Sequence, residues 1–171
     1  FGGRYIRAID LNYAVTAPAG NDNGATAVAQ DAALFNSNIY VALGGSTNVF
    51  RQFTGSANNA AAAGLYADYF TVTHQRDRLA RATNTADIRY LNAGTDPTDA
   101  ANWSGAYTVG YPGTAITVVT WYDLDVLVGK TDGIYGIQRD TLTPALIPDL
   151  AYFKDAANCK GMVYWAGRIW I

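Results

Sequence analysis

The sequence contains no glutamate: all 14 of its acidic residues are aspartate. Lysine is nearly absent too, occurring at Lys130, Lys154 and Lys160. Glu and Lys fill exposed helix faces, where packing does not decide the residue, so their scarcity argues against a helical protein. One histidine, His74, and one cysteine, Cys159, exclude an internal disulfide and are too few for a structural zinc site. No apolar run reaches the roughly 18 residues of a membrane helix; the stretch Ala115–Tyr122, for example, stops at Asp123. The net charge of −2 lacks the basic excess of a nucleic-acid surface. Neither nucleic acid nor a membrane span is therefore expected. The chain opens Phe1-Gly2-Gly3, without an initiator Met or a signal-peptide pattern, and reads as processed, trimmed or partial.

What is present points to short strands and turns. Half of the 171 residues are hydrophobic and 15% are charged, the opposite of a disordered composition. Gly, Asn, Asp, Thr and Tyr are abundant, as in chains of strands joined by tight turns.

The strand-like runs repeat. Runs around Ile39, Leu79, Val126 and Ile169 are spaced 40, 47 and 43 residues apart. Each has a companion just upstream: Ala33-Leu34-Phe35, Phe70-Thr71-Val72-Thr73, Ile116–Thr120 and Gly161-Met162-Val163-Tyr164. The linkers, such as Asn36-Ser37-Asn38 and Ala166-Gly167-Arg168, carry hairpin chemistry. Third runs follow at Val49–Phe53, Ile88–Leu91 and Gly133–Ile137, the last after the turn Thr131-Asp132. Candidates for a fourth strand are Leu65–Tyr69, Ala106–Gly110 and Leu146–Phe153. Four strands at a period of 40 to 50 residues describe a propeller blade. Short helices at Ala60–Ala63 and Asp149–Lys160 are the competing local readings.

The expected fold is therefore all-β, a single domain over residues 1–171 of propeller-like four-stranded blades. Its repeats run 1–32, 33–70, 71–115, 116–160 and 161–171, three whole blades flanked by two half-blades. The first half-blade starts at a third strand, Arg4–Ile9, and the last ends at a second strand, Ile169–Ile171. Unpaired edges invite association, so Ile169–Ile171 is expected to pair with an Arg4–Ile9 segment. That segment belongs to the same chain, to a second copy, or to the remainder of a larger chain or assembly.

The pattern Asn158-Cys159-Lys160-Gly161-Met162, then Trp165, then Gly167-Arg168-Ile169-Trp170-Ile171 resembles repeats of propeller-containing phage tail and structural proteins. The segment Val126–Tyr135 resembles the same repeats. The resemblance covers most of the chain, and its motifs specify the blade rather than an activity. It implies an extracellular or virion-associated protein working in assembly or surface recognition. Asp96–Trp103 has the flavour of an Asp-box turn, but its Ser, Asp, Gly and Thr positions do not match that motif.

Reactive groups are sparse. His74, in Thr73-His74-Gln75-Arg76-Asp77, has no nucleophile elbow beside it. Cys159 neighbours Lys160, a cation that can lower a thiol pKa, but one Cys and one His make a poor catalytic pair. The carboxylate pairs Asp96 with Asp99 and Asp123 with Asp125 suit turn capping as well as glycoside hydrolysis. Asn21-Asp22-Asn23-Gly24 is rich in oxygen but does not complete a calcium loop. No catalytic residue, metal or cofactor is assigned. Phe35, His74, Trp121 with Tyr122, and Trp165 fall at similar hairpin positions of successive repeats, where flat rings can stack sugars or seal an interface. The function expected is a non-enzymatic structural or binding module. A carbohydrate-binding lectin is the alternative, and a glycan-active hydrolase is disfavoured by the missing Glu and lone His.

Overall fold

A computed structural model describes residues 8–9, 15–17, 20, 22–23, 27–73, 78–83, 85–122, 125–138 and 141–171. His74 and Asp123 lie outside the described residues. The described chain is all-β. Its helical content is one turn of 3₁₀ helix, Ala100–Asn102, so neither competing helix forms. Ala60 ends a strand, and the 149–160 segment begins as strand and continues as turns.

The strands form five antiparallel sheets in chain order. A two-stranded sheet pairs β1 (Ala8–Ile9) with β2 (Val15–Thr16). The first four-stranded sheet runs β3 (Asp31–Phe35), β4 (Asn38–Ala42), β5 (Arg51–Phe53), β6 (Asn58–Ala60). The second runs β7 (Tyr69–Val72), β8 (Leu79–Ala82), β9 (Asp87–Tyr90), β10 (Tyr107–Thr108). The third runs β11 (Ile116–Tyr122), β12 (Asp125–Lys130), β13 (Gly133–Ile137), β14 (Pro144–Ala151). A final hairpin pairs β15 (Val163–Trp165) with β16 (Arg168–Trp170). Each sheet is a meander of sequential neighbours.

The turn residues set these hairpins. Asn36 and Ser37 both have positive φ, as do Ala166 and Gly167. Two successive positive-φ residues match the twist of the strands they join, and Phe35 faces Asn38 just as Trp165 faces Arg168.

The sheets stack face to face. Phe35, Tyr40, Phe50, Phe70, Leu79, Leu91 and Trp103 form one core between the first and second sheets. Its rings meet edge to face, Phe50 and Phe70 at 5.2 Å and 87°. Ile88, Tyr90, Ile116, Val126, Val128 and Ile137 form a second core between the second and third sheets. A third joins Leu127 and Ile134 to Met162 and Ile169 at the last hairpin. The middle strands β4, β8 and β12 thus bury both faces, which is why they read as continuous apolar runs rather than alternating ones. Each buried Leu or Ile contributes about 1.5–3 kcal/mol. Of the positions expected inside, Val41, Val126, Val128 and Met162 are buried, and Ile39, Val72, Val118 and Ile169 are half-buried.

One expectation needs correction. The fourth strand of the first repeat is Asn58–Ala60, not Leu65–Tyr69. Leu65 and Ala67 instead drop into the core while their carbonyls accept the amides of Phe50 and Gly44. The expected partner of Ile169–Ile171, the Arg4–Ile9 segment, lies outside the described residues except for Ala8 and Ile9. Among the described residues β1 pairs with β2 and β16 with β15, and the outer edge of β16 has no partner strand.

Candidate functional site

The first strand of each sheet lies beside the first strand of the next: β3 against β7, β7 against β11, β11 against β15. These strands surround a cavity of about 480 Å³. Its lining mixes the hydroxyl side chains of Thr71, Thr73, Thr117 and Thr120 with apolar ones such as Leu34, Phe70, Val118 and Met162, and includes Asp31, Trp121 and Lys160.

Each polar group is held by the fold. Asp31 opens β3, and its two carboxylate oxygens accept the Ala32 and Phe70 amides, both at 2.8 Å. The second of these bonds ties β3 to β7. Burial lifts the Asp31 carboxyl above the usual range, against the pull of those two amides. Thr117 Oγ1 donates to the Cys159 carbonyl at 2.6 Å, fixing the loop that carries Lys160 against β11.

The aromatic residues sort into two kinds. Phe35 is 3% exposed and packs on Tyr40 within the first core, so it seals sheets instead of facing a ligand. Trp121 borders the cavity, with its ring 4.8 Å from that of Tyr164; Tyr122 sits 5.3 Å from the same Tyr164 ring and is 41% exposed. Tyr164 is the member that sequence reasoning missed. It lies in the repeated run Gly161–Tyr164 one residue before Trp165, as Trp121 lies one before Tyr122, and it joins the group through packing of β15 on β11. Register also refines the equivalence: Tyr122 faces Asp125 across its hairpin as Phe35 faces Asn38 and Trp165 faces Arg168, so Tyr122 rather than Trp121 is the repeat-equivalent ring. Trp165 is 67% exposed and lies 6.4 Å from Trp170.

The other candidates have structural partners. Asp96 accepts from the amide and hydroxyl of Thr98, and Asp99 caps the 3₁₀ turn through the Ala101 amide. Burial pushes the Cys159 thiol up, against the effect of Tyr152. That is the opposite of an activated thiolate. Among the described residues no group of three or more His, Cys or Asp side chains gathers as for a metal.

No family model matches the chain, and no curated protein does. Among solved structures the chain is similar to PorZ, described as an essential bacterial surface component of the type-IX secretion system of Porphyromonas gingivalis. The likeness has a TM-score of 0.62 and 18% sequence identity, and covers 85% of this chain. It covers 20% of that chain, so the sequence here corresponds to about a fifth of PorZ. At this identity the shared property is the fold. No helix among the described residues is long and apolar enough to cross a membrane.

Among the described residues Asp31 is the carboxylate that lines the cavity, beside the hydroxyl groups of its threonines and the Trp121 indole.

Proposed function

We propose that this chain is part of a β-propeller that works as a non-enzymatic binding or structural module at a bacterial or virion surface. The cavity ringed by the first strands is then the mouth of the propeller axis. The observation that carries this reading is the convergence of β3, β7, β11 and the segment before β15 on one polar cavity. Stacked meanders with their first strands adjacent produce that arrangement, and propeller blades are such meanders. The resemblance of its repeats to those of phage tail proteins and the description of PorZ as a bacterial surface component support the setting.

The Trp121–Tyr122–Tyr164 cluster favours a carbohydrate as the ligand. Sugar rings offer apolar faces for stacking and hydroxyls for a polar wall. A glycan array followed by titration of tryptophan fluorescence tests this. A neutral glycan should quench the signal, and Trp121→Ala should weaken binding at least tenfold. An array without hits, together with capture of a virion or surface protein through the same cavity, would favour the structural role over the lectin role. The edge of β16 is proposed to be completed by a strand from a second copy or from the rest of a larger chain or assembly.

A further inference from the structure

A second cavity, of about 380 Å³, opens between the first and second sheets, away from the first strands. Arg81 and Arg89 line it. They sit directly opposite each other on β8 and β9, an arrangement in which like charges repel. Arg81 is 8% exposed. A guanidinium has five N–H donors, yet among the described residues Arg81 makes one hydrogen bond, from Nη1 to the Tyr66 carbonyl at 2.6 Å. Its Nε is buried without any partner. Arg89 bonds the Ser104 carbonyl at 3.1 Å.

A buried cation ordinarily has an anion beside it. Here neither arginine is ion-paired among the described residues. Asp87 borders the same cavity, but its carboxylate accepts the Thr108 hydroxyl at 2.8 Å. Arg81 instead lies over the Trp103 ring, 4.9 Å from its centre, which leaves its charge without an anion. Burial, and then the charge of Arg89, push the Arg81 guanidinium down to about 10. Two guanidinium groups beside an open cavity, one of them against an indole and carrying a donor without an acceptor, form half of an anion-binding site.

We propose that this cleft binds a small carboxylate-bearing ligand, with Arg81 and Arg89 holding the carboxylate and Asp87 and Thr83 receiving its hydroxyl groups. The volume exceeds what an inorganic ion fills and suits a sugar acid. The site is separate from the cavity between the first strands, so it does not depend on the function proposed there.

Galacturonate, galactose and sulfate are the probes, read by calorimetric titration and by thermal melting. Galacturonate should bind and raise Tm, and galactose should do neither. Arg89→Gln should weaken galacturonate at least tenfold. Arg81→Lys keeps the charge but loses the planar fork, and should also weaken binding while the circular dichroism spectrum stays that of the parent. Equal responses to galacturonate and galactose, a response to sulfate without one to galacturonate, or unaltered binding by folded Arg89→Gln would overturn the proposal.

Discussion

Lys130 is fully buried, and its ammonium donates to the carbonyls of Val109 and Tyr111. It also lies 5.4 Å from the Tyr135 ring. Burial holds the ammonium below the usual lysine range, against the opposing charges of Asp132 and Asp87. Lys130→Met keeps the apolar stem and leaves two carbonyls without their donor. Each unsatisfied buried group costs about 1–3 kcal/mol, partly offset by removing a buried charge. A net loss of about 1–3 kcal/mol is expected in urea unfolding, and a variant as stable as the parent would refute the role. Asp31 gives a pH test. Its folded-state pKa is raised from 3.8, chiefly by burial, so the folded chain keeps this proton to higher pH than the unfolded chain. The group therefore costs stability as pH climbs from about 3.8 through the folded value. Below 3.8 both states are protonated and the cost vanishes. Unfolding of the parent and of Asp31→Asn across pH 3 to 7 should show the stability of the parent falling relative to the variant as pH rises. The opposite slope would mean that its amide partners outweigh burial. That Asp31 bridges two sheets could not be read from sequence, where it is one of 14 aspartates beside a turn.

Among the elements, the hairpin of β3 and β4 carries a correctable defect. Ser37 adopts φ 64°, a conformation that costs a residue with a side chain about 1–2 kcal/mol. Ser37→Gly removes that strain at some cost in chain entropy. A gain of about 0.5 kcal/mol is expected from urea unfolding, and a loss would show that the serine side chain holds the turn. Gly129, inside β12, marks a close approach. A Cβ there would run into the Cys159 sulfur and Val118 Cγ1. Gly129→Ala should therefore destabilise by about 1–3 kcal/mol, measured in the same way, and Gly129→Ala with Cys159→Gly should recover part of that loss. The strands were largely legible because repeated apolar runs bounded by turns carry both their position and their order. The fourth strand of the first repeat was not. Asn58-Asn59-Ala60 has no apolar signal, since buried Asn58 bonds the Gly20 carbonyl and Asn23 rather than filling a core. Leu65 and Ala67 carry the signal but serve a connector. Apolar pattern reports burial, and pairing is a separate property.

For the molecule as a whole, the open edge of β16 is the feature with consequences in solution. Val163, Trp165, Trp170 and Ile171 around it are all more than half exposed. Unpaired amides beside exposed apolar side chains promote strand addition. Light scattering should show mass rising with concentration, and Trp170→Lys should suppress the rise without altering the melting of the three complete sheets. A single monomeric mass at every concentration for the parent would remove association through β16. Composition without glutamate, the 40-to-47-residue spacing and the turn chemistry determined by themselves an all-β chain of three four-stranded units between two hairpins. These properties are local, written in strand periodicity and in residues that tolerate positive φ. Only the tertiary structure decided which rings seal sheets and which face a cavity, that Tyr164 joins Trp121, and that Arg81 and Arg89 stand opposed with no carboxylate between them. Those facts depend on which faces of successive sheets meet, and the contacts that set them join residues tens of positions apart, beyond the reach of any local pattern.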